Sequence, residues 1–371
     1  MTEKNITKRK IFYISGFDPR GFRYYRELLK KAVKDFNQLE DKNITLETSN
    51  QADKHHLTLK APEDNTENIY NFLQWDDIVR QNWEKNPVKL GLKTLKTYFL
   101  YAKHTRWTRI SELPRAPVMT LFFPIFTLLS VWGGLSLFLL LIGLFLPDIP
   151  FKNLGLIIIA LIPASYVLDK IKSLWLLRFF IFNARAFGSY PHLTDERVQI
   201  FKAKILESLQ DDSFDEVQIV AHSNGSILLI PLFNFLLPEL SEAQRQKLKV
   251  LTLGHCIPLA SYYRGAKLFV ERMNKVKEYN ISWCDLSSPA DSVCFALHDP
   301  FSLEHHPQNV RLTMKSPQFH KYYPPDMYKK MRRNKFDLHF RYFMTSPISS
   351  PYNLVALMTS SHPLEHHFME T

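Results

Sequence analysis

The chain has 371 residues, 46% of them hydrophobic and 22% charged, a folded composition that excludes a disordered or fibrous protein. The formal net charge of +11 fits nucleic acid, an anionic membrane surface or basic flanks around a membrane segment, so the position of the charge has to decide. The three cysteines, Cys256, Cys284 and Cys294, lack paired-motif spacing; they suggest neither a disulfide framework nor a zinc ribbon and fit a reducing compartment.

In chain order, the basic N-terminus leads into too few apolar residues for a secretory signal, which places the N-terminal part in the cytoplasm. KIFYIS (10–15) is a short apolar strand ending in the loop GFDPRG (16–21). FRYYRELLKKAVKDFNQL (22–39) is a helix, with Tyr25, Leu28, Leu29, Ala32, Val33 and Phe36 at spacings of three and four. NITLETSNQ and HHLTLK alternate like strands, and TENIYNFLQWDDIVRQNW (66–83) has helical periodicity. On that helix Asp77 and Arg80 are spaced for an ordinary surface ion pair, and the segment is a candidate for substrate contact or gating.

Between Arg115 and Asp148 lie 32 residues without a charge, more than the ~20 a helix needs to cross a bilayer. A second uncharged stretch, Leu154–Leu168, is short for a crossing unless Phe151 and Ile171 extend it; a re-entrant or interfacial arm is the alternative. Together they predict a transmembrane hairpin with spans at about 118–146 and 151–169. Lys103, Arg106, Arg109 and Arg115 precede it, Lys170, Lys172, Arg178 and Arg185 follow it, and the connector carries only Lys152. That bias puts both ends in the cytoplasm and accounts for part of the positive charge without nucleic acid. The following IKSLWLLRFFIF (171–182) is expected either along the membrane surface or packed on the domain.

LTDERVQIFKAKILESLQ (193–210) is a helix with a plausible cap at Thr194, and it leads to the strand VQIVA. Ala221-His222-Ser223-Asn224-Gly225 follows, a small-x-Ser-x-small pattern that chance supplies about once in such a chain. Its context is specific: a strand precedes it and the apolar SILLIPLFNFLL follows, as a strained strand-to-helix turn presenting a serine requires. Pro231 should kink or break that helix. KVLTLGHC (249–256) is the next strand, GAKLFVERMNKVKEY a helix, and ISWCDLSSPADSVCF (281–295) a strand running into a loop. There is no internal repeat or low-complexity tract.

On these residues the chain resembles the α/β-hydrolase fold outside residues ~86–185, a mostly parallel sheet flanked by helices, here with an inserted two-helix transmembrane hairpin. The resemblance divides it into a first hydrolase part (1–86), the membrane insertion (87–185) and a second hydrolase part (186–371). It implies Ser223 as nucleophile, the backbone N–H of Phe17 (or Asp18) and of Asn224 as oxyanion donors, and Asp291 as the acid, with Asp285 second. RRNKFDLHFRYFM (332–344) is similar to the His-Phe-x-Tyr segment of membrane-associated bacterial members of the fold and favours His339 as the base, with His298 second. His55-His56, His305-His306 and the terminal His362, His366 and His367 have no acidic or cysteine partner at a zinc spacing, so no metal or other cofactor is expected.

The expectation is therefore an integral membrane protein, of a bacterial inner membrane by the resemblance, with its catalytic domain cytoplasmic. It would act as a serine hydrolase on a carboxylic ester or thioester of a lipid or lipid-like substrate, through an acyl-enzyme on Ser223, in contact with membrane lipids and without nucleic acid. The alternative is a catalytically inactive hydrolase-like domain used as a membrane-tethered interaction module. A transporter is disfavoured, since two spans without internal charge leave no ion path. The sequence leaves the oligomeric state open.

Overall fold

The computed structural model describes residues 5–48, 55–189, 192–304 and 307–369. Eight strands form one sheet in the order β2-β3-β4-β1-β5-β6-β7-β8. In chain order, β1 (Lys8–Ile14) leads to α1 (Gly21–Glu40), then β2 (Thr45–Thr48), β3 (His56–Ala61) and β4 (Thr66–Phe72). β4 returns parallel beside β1, and β2 and β3 extend that edge antiparallel. β5 (Glu216–His222) lies on the other side of β1, followed in parallel by β6 (Leu248–Leu253), β7 (Ser282–Leu286) and β8 (Arg311–Lys315). The chain thus builds first to one side of β1 and then to the other, and the carboxyl ends of β1 and β5 meet where strand order reverses.

Residues 66–83 do not form one helix. β4 covers the first seven, with Thr66, Asn68, Tyr70 and Phe72 buried on alternate positions, and only α2 (Asp76–Gln81) is helical. The asparagines hide the period of two, because Asn68 is buried by bonding Arg9 and Thr66 rather than by being apolar. The expected Asp77–Arg80 pair is also absent: Arg80 pairs with Asp76, and Asp77 takes a bidentate grip from Arg197 at 2.6 and 2.7 Å. Three-residue spacing lost here to a tertiary partner. β8 carried no sequence expectation; its RLTMK is a short edge strand with every residue at least partly exposed.

The insertion consists of α3 (Pro87–His104), α4 (Arg115–Gly143), α5 (Lys152–Ile159), α6 (Leu161–Lys170) and α7 (Ser173–Asn183). α5 and α6 run end to end over Lys152–Lys170, so α4 and this pair are two helices of 29 and 19 residues, long and apolar enough to cross a membrane. They pack closely: a Cβ on Gly143 would meet Leu156 at 2.6 Å, and Trp132 Nε1 donates to Ile157 O at 3.0 Å. Their outer faces remain bare, with Phe126 68% and Ile162 72% exposed. α7 packs on the domain, burying Leu176, Leu177, Phe179, Phe180 and Phe182 in the core.

α8 (Asp195–Gln210) starts after Thr194, whose side chain makes no cap bond. α9 (Gly225–Leu236) runs through Pro231 without a break; it is buried along nearly its whole length between sheet, α8 and a later helix, so packing overrides the lost backbone bond. α10 (Glu242–Lys247), α11 (Ile257–Ser261) and α12 (Lys267–Lys277) complete that side. The opposite face is covered by α1, α13 (Phe319–Tyr322), α14 (Pro325–Arg333), α15 (Lys335–His339) and α16 (Leu354–Thr359), giving one apolar core on each side of the sheet.

A buried ion pair ties these layers together. Arg9 on β1 donates to Glu216 on β5 at 2.7 Å with both side chains essentially unexposed, and its other nitrogens bond Asn68 and the carbonyls of Met358, Ser360 and His362. One guanidinium thereby joins three strands to the C-terminal segment. Arg9→Met leaves Glu216 buried without its cation and is expected to cost about 3–5 kcal/mol of stability, read as a lower urea midpoint of the purified protein.

Candidate active site

Ser223 follows β5 in a left-handed backbone conformation, φ 51°, which costs a non-glycine residue roughly 1–3 kcal/mol and persists only where the surroundings enforce it. Two glycines do so. A Cβ on Gly225 would lie 2.6 Å from Ser15 O and 2.7 Å from Ile14 O, so only glycine lets α9 begin against the end of β1. A Cβ on Gly16 would lie 3.0 Å from Ser223 Cβ and 3.4 Å from its Oγ, so the β1 loop closes directly over the serine. The turn is fixed from inside by Ser226, whose Oγ donates to Ser223 O at 2.5 Å and accepts from Cys256 N at 2.9 Å.

The structure brings Asp291 and His339 together: Nδ1 of the imidazole donates to Asp291 Oδ2 at 2.7 Å, both side chains being fully buried. Asp291 also accepts from Val293 N at 3.0 Å and from the Tyr342 hydroxyl at 3.2 Å. Burial acts to raise the Asp291 pKa, but the charge and hydrogen bond of His339 and the other donors outweigh it and hold the carboxyl below its usual range. The runner-up acid is committed elsewhere: Asp285 accepts from Thr252 Oγ1 and Ser287 Oγ, each at 2.6 Å. His298 lies against Tyr262 with its Nε2 on Ser302 Oγ at 3.2 Å. His305 and His306 fall outside the described residues.

No hydrogen bond joins Ser223 to His339 among the described residues; the neighbouring His222 ring lies 4.6 Å from that of His339, and its Nε2 donates to His339 O at 2.9 Å. Ser223 Oγ itself rests 3.7 Å from Cys256 Sγ, and His339 Nε2 is buried without a partner. Burial pushes the Cys256 thiol far up, so it stays protonated and can donate to the serine. On the oxyanion side, Asp18 N already bonds Gly16 O at 2.8 Å, whereas Phe17 N and Asn224 N make no such bond among the described residues. Phe17, not Asp18, is thus the candidate donor of that loop.

Among the described residues, buried polar atoms without partners occur in several parts of the molecule, and those within or beside this turn are Ser15 Oγ, His222 Nδ1, both amide atoms of Asn224 and His339 Nε2. Buried polar groups are ordinarily satisfied, so these atoms remain open to the polar groups of a ligand. Among the described residues no group of three His, Cys, Asp or Glu side chains is arranged to hold a metal ion.

Sequence reasoning missed four contributors. Tyr342 braces Asp291 and receives Ser288 N at 3.0 Å, a role its place three residues after His339 could have suggested. Cys256 lies at the end of the neighbouring strand. Thr120 on α4 donates to Ser292 O at 2.7 Å, and Trp175 Nε1 on α7 donates to Phe17 O at 3.2 Å. The feet of the apolar hairpin therefore touch the acid loop on one side and the candidate oxyanion loop on the other.

No family model matches the chain, and no curated protein or solved structure matches it either.

Two measurements probe the turn. Gly225→Ala is expected to lower the melting temperature by several degrees, because its methyl group would collide with the backbone carbonyls of Ser15 and Ile14. Burial, then the His339 charge, hold His222 well below its ordinary pKa. The unfolded chain therefore takes up a proton that the folded one refuses as pH falls below about 6.5, and stability present above that pH is progressively lost. His222→Gln should flatten that part of the stability curve, measured by urea unfolding from pH 7.5 down to about 5.

Proposed function

We propose that the chain is a membrane-anchored serine hydrolase of the α/β-hydrolase fold, acting on a carboxylic ester or thioester of a lipid. The observation that carries this reading is Ser223 at φ 51° between two enforcing glycines, with the hydrogen-bonded His339–Asp291 pair beside it. The strand order, the reversal at β1 and the site at the carboxyl ends of β1, β5, β6 and β7 support the fold assignment.

In the proposed cycle the Ser223 hydroxyl turns from Cys256 toward His339 Nε2, which takes its proton as Oγ attacks the acyl carbonyl. Asp291 holds the imidazole by Nδ1–H and stabilises its charged form. The N–H groups of Phe17 and Asn224 receive the developing oxyanion, the latter with the start of α9 behind it. His339 then protonates the leaving alcohol or thiol, and a water molecule releases the acid from Ser223 by the same steps in reverse.

A lipid substrate is supported by the place of the site at the foot of the hairpin. A small apolar groove of ≈ 40 Å³ there is lined by Pro117, Val118 and Leu121 of α4 and by Pro258, Leu259 and Phe295, with Pro258 and Leu259 following Cys256 closely in sequence. An acyl chain entering from the bilayer would meet this apolar boundary rather than water. The bare apolar faces of α4–α6 exceed what a soluble surface tolerates and support insertion, with the domain on the cytoplasmic side by the basic flanks.

A fluorophosphonate probe is expected to label the full-length protein, Ser223→Ala to abolish labelling, and Asp291→Asn to slow ester turnover by about 10²–10⁴-fold. A folded protein that the probe leaves unlabelled would sink the enzyme and leave the interaction-module alternative. For topology, a cysteine replacing Asp148 in the connector should react with an impermeant maleimide on intact cells, and one replacing Lys30 only after lysis; the reverse pattern overturns the orientation.

A further inference from the structure

Two separate parts of the chain converge on the ring of Phe336 beside the site. Arg20, from the loop that carries Phe17, lies 5.8 Å from it; Lys172, where the chain leaves the hairpin, lies 5.5 Å from it; and Trp175 meets it edge-on at 5.4 Å. Arg20 is neutralised by Asp18 through bonds of 2.6–2.9 Å. Lys172 has no carboxylate partner among the described residues, and neither has Lys335, the neighbour of Phe336 in sequence. Lys335 Nζ donates instead to Ala290 O at 3.2 Å, the carbonyl adjoining Asp291, and one helical turn separates it from His339 on α15. Burial and the Arg332 charge lower the Lys335 pKa while the Asp291 carboxylate opposes them, which places this ammonium within the field of the site.

Asp337 is held by Arg341 at 2.5 Å, and the Arg332 charge adds to the positive field at Lys335. Membrane orientation explains Lys170 and Lys172, which sit where a hairpin keeps its cytoplasmic cations. It does not explain Lys335, which lies over 160 residues further along and is brought to the hairpin foot only by the fold. The Lys172 ammonium thus lies over the ring of Phe336, and Lys335, the residue before Phe336, carries a second ammonium on the helix bearing His339.

We propose that Lys172 and Lys335 together bind the phosphate of an anionic phospholipid headgroup, so that the substrate is an acyl ester of an anionic phospholipid. This rests on the hydrolase reading and adds the headgroup to it. Lysine ammonium groups suit the task, since they act as point charges toward phosphate oxygens without demanding the planar geometry of arginine. The phosphate sits beyond Phe336 from the imidazole, the glycerol ester lies toward Ser223, and the acyl chain follows the α4 groove.

The test uses full-length Ser223→Ala protein in neutral detergent micelles, titrated with short-chain phosphatidylglycerol and, separately, short-chain phosphatidylcholine, with tryptophan fluorescence reporting through Trp175. The anionic lipid is expected to bind about tenfold more tightly. Lys172→Gln combined with Lys335→Gln should bring the two affinities together, and the corresponding Lys→Arg pair should keep them apart; the arginine pair also controls for misfolding. Equal affinities in the parent, or a preference that survives the double glutamine change, would overturn the proposal. So would displacement of the anionic lipid by inorganic phosphate at equal concentration, which would assign the cations to free phosphate. Ester hydrolysis without headgroup preference sinks this inference alone, whereas selective binding by a protein with Ser223 intact that hydrolyses no ester sinks the hydrolase reading alone.

Discussion

The site depends on one backbone angle. At φ 51° Ser223 cannot be an ordinary strand residue or the first residue of an ordinary helix, and the space that permits the angle is supplied by what is missing from Gly16 and Gly225. Because those glycines let β1 and β5 approach at their carboxyl ends, the loop with Phe17 N–H and the amides opening α9 face the same volume. Strain in the turn is offset by the burial of α9, whose residues from Gly225 to Phe233 are all inaccessible to solvent. A helix so thoroughly enclosed gives the turn a rigid anchor on one side and the sheet anchors it on the other.

The apolar hairpin is integrated with this centre rather than hung from the domain. α4 bonds the acid loop through Thr120, α7 bonds the Phe17 loop through Trp175, and the two feet are joined by Thr127 Oγ1 and Ser173 Oγ at 2.8 Å. The hairpin is thereby tied to the segments that bear Asp291 and Phe17. Ser223, Asp291 and His339 are each no more than 2% exposed. The Cys256 thiol lies 3.7 Å from the serine hydroxyl, a contact weaker than an imidazole would make.

What the sequence made legible was local. The strand-turn-helix around Ser223, the helix of α1 and the two long apolar segments each have their cause within about 30 neighbouring residues, as periodicity or as small side chains at fixed offsets. Asp291 and His339 came from a family resemblance, since nothing local distinguishes one buried histidine from thirteen others. The misreadings were long-range. Asn68 obscured β4 because its partner Arg9 lies 59 residues away, and Asp77 looked paired with Arg80 because Arg197 lies 120 residues away. Thr120, Trp175, Lys335 and Cys256 acquire their meaning only when the fold carries them to the site.

The position of the hairpin within the chain has a consequence for assembly. β1 and β5 are adjacent along their full length, yet the hairpin lies between them in sequence, with the Arg9–Glu216 pair bridging 207 positions. During synthesis β1 to β4 emerge first with the inner edge of β1 unpaired, the apolar helices follow, and only then does β5 arrive to close the seam. On the membrane-spanning reading, insertion precedes closure, and Ser223 meets the Phe17 loop only in a chain whose hairpin has already left the ribosome for the bilayer. The order of residues would then act as a safeguard: the nucleophile is assembled at the membrane surface, and a chain stalled before that point carries no finished site into the cytoplasm.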